Sequence, residues 1–234
     1  RFAAHATHAR HRVRESFGFL PQERVIGIVG SLAAVKGHDL LLSAVAHAAP
    51  TIPTIRLLVV GDGPLREVLE AKAKGLAIQN RVHFAGWRDD VPMLMSAMDA
   101  CVCASRSEGM SNAVMEAMAS GLPLVSTSVG DHPSTIRHGL DGLLVPSGDA
   151  SALAQAIQTL FGSPEQAAAM GRSARARIEE FGFARTVNAY QCFYKDVMPQ
   201  HATKVHAIAR ICRGVSKSVT APFPPRVAAG APVK

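Results

Sequence analysis

The chain has 234 residues, 48% of them hydrophobic and 18% charged, a profile that excludes disorder and collagen-like structure for its bulk. Apolar runs such as Leu57 to Val60 and Leu40 to Ala46 stop far short of the ~20 residues that span a bilayer. The formal charge of +7 sits at the ends, because residues 23 to 196 hold 15 basic and 17 acidic side chains, and this disfavours a nucleic-acid-binding body.

Residues 1 to 22 read as a basic N-terminal segment or interdomain remnant, with Arg1, Arg10, Arg12 and Arg14 against Glu15. The first residue is Arg and no secretory signal is visible, so the sequence reads as a fragment. Arg24 to Gly30 predicts a strand, and Asp39 to Ala49 a helix with Leu41, Leu42, Val45 and Ala46 on one face. Ile55 to Val60 is the next strand, followed by a helix from Pro64 to about Lys74. Arg81 to Phe84, Ala100 to Ala104, Pro123 to Ser126 and Gly142 to Val145 read as further strands, with helices near Val91 to Met98 and Asn112 to Ser120 between them. Nearly all-apolar strands in β-α-β alternation imply a doubly wound, Rossmann-like α/β fold with a parallel sheet covered on both faces.

From 149 to 198 three helical patterns start near Ala150, Pro164 and Ala184, and the last places Val187, Tyr190, Phe193, Tyr194 and Val197 at helical spacing. The domain is expected to run from 23 to 198. Residues 199–234 form a basic, proline-containing tail, expected to be partly disordered or to touch an anionic membrane surface as a helix. Cys101, Cys103, Cys192 and Cys212 form no CxxC pair or zinc pattern, and Cys101 and Cys103 read as buried thiols of a reducing compartment, the cytoplasm by default.

In a parallel sheet ligands bind beyond the carboxyl ends of the strands, which directs attention to five loops. The first, Gly30-Ser31-Leu32-Ala33-Ala34-Val35-Lys36-Gly37, puts a cation beside a helix start, where unpaired N–H groups favour anions. The second, Gly61-Asp62-Gly63-Pro64, begins like a dinucleotide fingerprint but lacks its third glycine and the later acid, which argues against NAD. In the third, Trp87 and Arg88 suit stacking on a base or rim packing equally.

The fourth loop, Ser105 to Ala119, is the richest. Glu108 and Glu116 flank a helix start expected to be capped by Ser111 or Asn112, so a diphosphate at its amides and sugar hydroxyls at the carboxylates would match a nucleotide sugar. The same stretch, Gly109-Met110-Ser111-Asn112-Ala113, approximates a hydrolase nucleophile elbow with Ser111 as nucleophile, but Ala113 replaces its last glycine. In the fifth loop Asp131 and His132 suit either ligand contact or a structural role, and none of the histidines falls in a metal pattern.

Val29-Gly30-Ser31-Leu32 with Lys36-Gly37-His38, Val60 to Pro64, Val82 to Gly86, Glu108 to Asn112 leading to Glu116-Ala117-Met118, and Gly142 to Pro146 occur in order. Together they resemble the carboxy-terminal, donor-binding half of a GT-B glycosyltransferase of family GT4. The resemblance implies retaining transfer of a sugar from a UDP-sugar or GDP-sugar, without a metal, to a glycan or lipid-linked glycan in polysaccharide or glycolipid biosynthesis. By the same resemblance Lys36 neutralises the diphosphate, Glu108 is the catalytic residue contacting the donor sugar, and Glu116 holds the ribose. Gly30, Ser31 and the backbone at Gly109, Met110, Ser111, Asn112 and Ala113 line the donor, and Trp87 and Arg88 meet the base. The family often has an arginine where this chain has Ser31, and Arg106 is a candidate substitute. An acceptor-binding N-terminal domain is also implied, and without it the chain would be a nucleotide-binding module lacking turnover.

Overall fold

The computed structural model of the protein describes residues 2–197; the tail predicted over 199–234 lies outside them. The contacts divide the chain at Gly182. In the first unit, strands β1 (Arg24–Val29), β2 (Ile55–Val60), β3 (Val82–Gly86), β4 (Ala100–Cys103), β5 (Leu124–Thr127) and β6 (Gly142–Val145) form one sheet in the order β3-β2-β1-β4-β5-β6. Every pairing between neighbouring strands is parallel, and Ile26 lies between Leu57 and Ala100 in register.

Alternation along the strands sorts side chains into two cores. Ile26, Ile28, Leu57, Val59 and Val102 pack with Leu41 and Val45 of α2 (His38–Ala48), Leu69 of α3 (Arg66–Gly75), and Leu153 and Ile157 of α7 (Ala150–Gly162). Val25, Leu58, Val60, Cys101 and Cys103 face Val13 of α1 (Phe2–Ser16), Leu94 and Met95 of α4 (Val91–Ala97), Val114 and Met118 of α5 (Asn112–Ala119), and Ala174 of α8 (Pro164–Ile178). A strand buried on both faces cannot alternate polar and apolar residues, which is why these read as continuous apolar runs. Cys101 and Cys103 are buried free thiols, as expected.

Two helices went unread in the sequence. The basic segment 1 to 22 contains α1, two of whose arginines serve the interior: Arg10 and Arg14 meet Asp99 at 2.6 and 2.7 Å, and Arg14 Nε donates to the Ala97 carbonyl at 2.9 Å. The other is α6 (His132–Thr135), a single turn in the fifth loop. At α3, Pro64 lies in the turn before the helix, which starts at Arg66. Beyond Gly182, α9 (Phe183–Val197) exposes Tyr190, Phe193 and Tyr194, with the two tyrosine rings stacked.

Asp141, fully buried before β6, accepts from Arg137 Nε at 2.8 Å and from the Ser173 hydroxyl at 2.7 Å. Burial pushes its carboxyl up, but the hydrogen bonds from Arg137 and Ser173 outweigh this and bring it down to about 2. A folded value below the unfolded 3.8 stabilises the protein above about pH 5, and that stability disappears as the pH falls through 3.8 toward 2. The contribution is ~2 kcal/mol, about half of it lost by pH 3. Denaturant titrations should therefore find the stability gap between wild type and Asp141→Asn narrowing by roughly 1 kcal/mol from pH 6 to pH 3; a constant gap would exclude this linkage.

Candidate functional site

The strand order reverses between β1 and β4, so the loops following them open onto the crevice where α/β sheets take their ligands. Three backbone ties hold these loops and their neighbours. Leu32 N–H donates to the Asp62 carbonyl at 3.0 Å, Gly61 N–H to Gly86 at 2.8 Å, and Arg106 N–H to Val35 at 2.7 Å. Gly37, with φ +65°, ends the Ala34–Lys36 3-10 turn; a Cβ there would lie 1.9 Å from the Ala104 carbonyl oxygen, so the first and fourth loops touch backbone to backbone.

This approach brings together two residues that are 72 positions apart: Lys36 Nζ meets Glu108 Oε1 at 2.6 Å. The same oxygen accepts the Ser105 hydroxyl at 2.8 Å. Burial raises the Glu108 carboxyl, yet the hydrogen bonds from Lys36 and Ser105 hold it below the ordinary glutamate value. Glu108 therefore stays an anion at neutral pH although its side chain is only 10% exposed. His38, next to Lys36, is pushed down to about 4 by burial and adds no charge there at neutral pH.

Glu116 projects from the middle of α5 and is exposed, and among the described residues its side chain makes no hydrogen bond or ion pair. Ser111 is the residue before α5, but neither it nor Asn112 provides the expected side-chain cap. With Ser111 extended (φ −81°, ψ 116°) and no side chain folded over them, the first N–H groups of α5 remain unclaimed by a cap. Gly109, Met110 and Asn112 are exposed, and Ala113 is half-buried. Gly30 and Ser31 lie at the end of β1, Gly30 half-buried and Ser31 exposed.

Arg106 does not stand in for a phosphate cation. Its guanidinium grips Asp39 through two hydrogen bonds of 2.9 and 2.7 Å and donates to the Ala34 carbonyl at 2.7 Å, which commits it to clamping the first and fourth loops. Trp87 is 73% exposed beyond β3, and Arg88 beside it is paired with Asp90 at 2.7 and 2.8 Å.

Among the described residues the hydrolase alternative finds no base. Among the described residues no histidine hydrogen-bonds Ser111, and His132 is buried with Nδ1 2.9 Å from both the Ser126 hydroxyl and the Thr127 carbonyl. Asp131 is exposed. Sequence reasoning overlooked Ser105, whose only signal was a polar residue ending an apolar strand and three positions before Glu108.

The pattern of the family described as "Glycosyl transferases group 1" matches residues 23–163. An N-acetyl-alpha-D-glucosaminyl L-malate synthase of Bacillus anthracis is 32% identical over 189 residues, 80% of this chain and 49% of that protein. The lipopolysaccharide core biosynthesis glycosyltransferase LpsE of Rhizobium meliloti is 33% identical over 166 residues, 71% of this chain and 45% of its own length. The crystal structure of Anabaena Alr3699/HepE in complex with UDP superposes with a TM-score of 0.74 at 26% identity, covering 81% of this chain and 53% of that one. The chain thus spans about half the length of these relatives.

Proposed function

The chain belongs to the glycosyl transferases group 1 family, and on that premise we propose that it supplies the donor-binding half of a retaining glycosyltransferase that uses a nucleoside diphosphate sugar. The observation that carries this is the meeting of Lys36 and Glu108 at the switch point of the sheet, a cation and an anion set side by side in one crevice. Breaking the bond between sugar and diphosphate leaves extra negative charge on the departing phosphate. Lys36 and the uncapped amides of α5 are placed to stabilise that charge as it develops. Glu108 accepts from a hydroxyl of the donor sugar, Glu116 from the ribose, and the Trp87 and Arg88 loop meets the base. In this assignment the phosphate charge is met without a metal ion. The similar Anabaena structure holds UDP, which favours UDP over GDP here. The acceptor, a glycan or lipid-linked glycan, and a preceding acceptor-binding domain belong to the same proposal. Among the described residues no helix is long and apolar enough to cross a membrane.

Calorimetric titration with UDP and with GDP tests the site. One nucleotide is expected to bind, and Lys36→Ala should weaken it about tenfold or more, since hydrogen bonds to charged groups contribute roughly 1.5–3 kcal/mol. Glu116→Ala should also weaken it, by removing an acceptor for the ribose hydroxyls. Unchanged affinity in both variants would overturn the donor site.

A further inference from the structure

Ser105 follows β4, is 1% exposed, and is fastened on several sides. Its carbonyl accepts the Thr127 hydroxyl at 2.7 Å from the end of β5 and the Ser147 hydroxyl at 3.3 Å from beyond β6. Thr127 also reaches the Cys103 carbonyl at 3.3 Å, and Cys103 Sγ lies 3.6 Å from the Ser105 hydroxyl. From this fixed base the hydroxyl donates to Glu108 Oε1, the same oxygen that Lys36 meets. Among the described residues Oε2 of Glu108 receives no hydrogen bond. A carboxylate left to rotate offers either oxygen in many directions, whereas two donors on one oxygen fix the direction of the other.

We propose that Ser105 is a positioning residue: with Lys36 it anchors Oε1 of Glu108 so that Oε2 is presented as the acceptor for a hydroxyl of the donor sugar. This deepens the donor-site proposal and rests on it for the identity of the ligand. The division of labour is specific. Lys36 serves both the phosphate and Glu108, while the Ser105 hydroxyl, apart from its contact with Cys103 Sγ, bonds only Glu108, so its loss should be felt through the sugar and not through the nucleotide. The depressed carboxyl of Glu108 fits this arrangement, because a donated hydrogen bond favours the charged form.

Two measurements on the full chain test it. In the first, the Glu108 side-chain carboxyl carbon, identified by its disappearance in Glu108→Gln, is titrated by NMR. Its midpoint should rise in Ser105→Ala and return toward wild type in Ser105→Thr, which keeps the hydroxyl. In the second, UDP and UDP-glucose are titrated calorimetrically. Ser105→Ala should lower the affinity ratio of UDP-glucose to UDP by about tenfold while UDP affinity moves by less than about threefold. An unmoved Glu108 midpoint overturns the proposal, as does an equal loss for the two ligands. If wild type binds neither ligand, the donor site itself fails, and the midpoint alone then decides whether Ser105 holds Glu108. Should Ser105→Ala not fold, Ser105→Cys, close in size and a poor donor, carries the same expectations.

Discussion

Asp99→Ala is expected to lower the stability of the protein by about 2–4 kcal/mol, short of the full range for a wholly buried ion pair because the Asp99 side chain is 18% exposed, and its melting temperature by ~4–16 °C. Asp99 precedes β4 and accepts from Arg10 and Arg14, while Oδ2 also takes the Val25 N–H at 2.7 Å. It thereby fastens α1 to the start of β1. The Arg14 side chain is 7% exposed, and burial already holds its pKa below the ordinary value despite Asp99 beside it. Removing the carboxylate leaves that guanidinium with backbone carbonyls only. Arg106→Ala breaks a pair with Asp39 in which both side chains are about 40% exposed, and should cost under ~1 kcal/mol. Equal losses in the two variants, measured by thermal and denaturant unfolding, would refute the assignment of Asp99 as the half-buried hub that holds the buried Arg14.

Gly130→Ala should damage both stability and the proposed donor site. Gly130 has φ +52°, a conformation that costs an L side chain roughly 1–3 kcal/mol. Its added Cβ would lie 2.0 Å from the Glu108 carbonyl oxygen and 3.2 Å from that of Gly109. The fifth loop therefore rests on the backbone of the fourth, and relieving the clash must move one of them by more than about an ångström, a shift large enough to disrupt ligand positioning. UDP-glucose affinity is expected to fall at least about tenfold. Gly139, with φ +78° but no atom within 4 Å of its added Cβ, separates the two causes. Gly139→Ala should show the strain in its melting temperature and keep its affinity. If Gly130→Ala binds UDP-glucose as wild type does, the contact between the loops does not support the site.

Most of the sheet was legible because a parallel strand buried on both faces must be apolar throughout, and Gly, Pro or charge must then end it. Strand bounds moved little: Arg81 joins a 3-10 turn before β3, and β5 begins at Leu124, one residue after Pro123. The misses share a cause. In α1, Arg10 and Arg14 look solvated in the sequence but are anchors to Asp99, a partner more than 80 residues away, and composition records charge without recording partners. The turn α6 is too short to show helical periodicity. At the site, Lys36, Glu108 and Glu116 stood out by residue type and spacing. Their arrangement did not, since Lys36 and Glu108 meet only because β1 and β4 are neighbours in space. Arg106 shows the converse: a cation in the right loop, turned to Asp39 by a geometry that spacing could not reveal.

The anchoring of Glu108 carries an entropic consequence. Ordering a long side chain on association costs roughly 0.5–1.5 kcal/mol, and for Glu108 that loss is already taken during folding, through the bonds from Lys36 and Ser105. Glu116, exposed and unbonded, still has its rotamers to lose when a ligand arrives. The two carboxylates of the proposed site therefore enter binding from opposite thermodynamic states, one already rigid and one still free to move. Under the proposed assignment, sugar recognition would draw on preorganisation completed at folding, whereas recognition of the ribose would carry its ordering cost with every encounter.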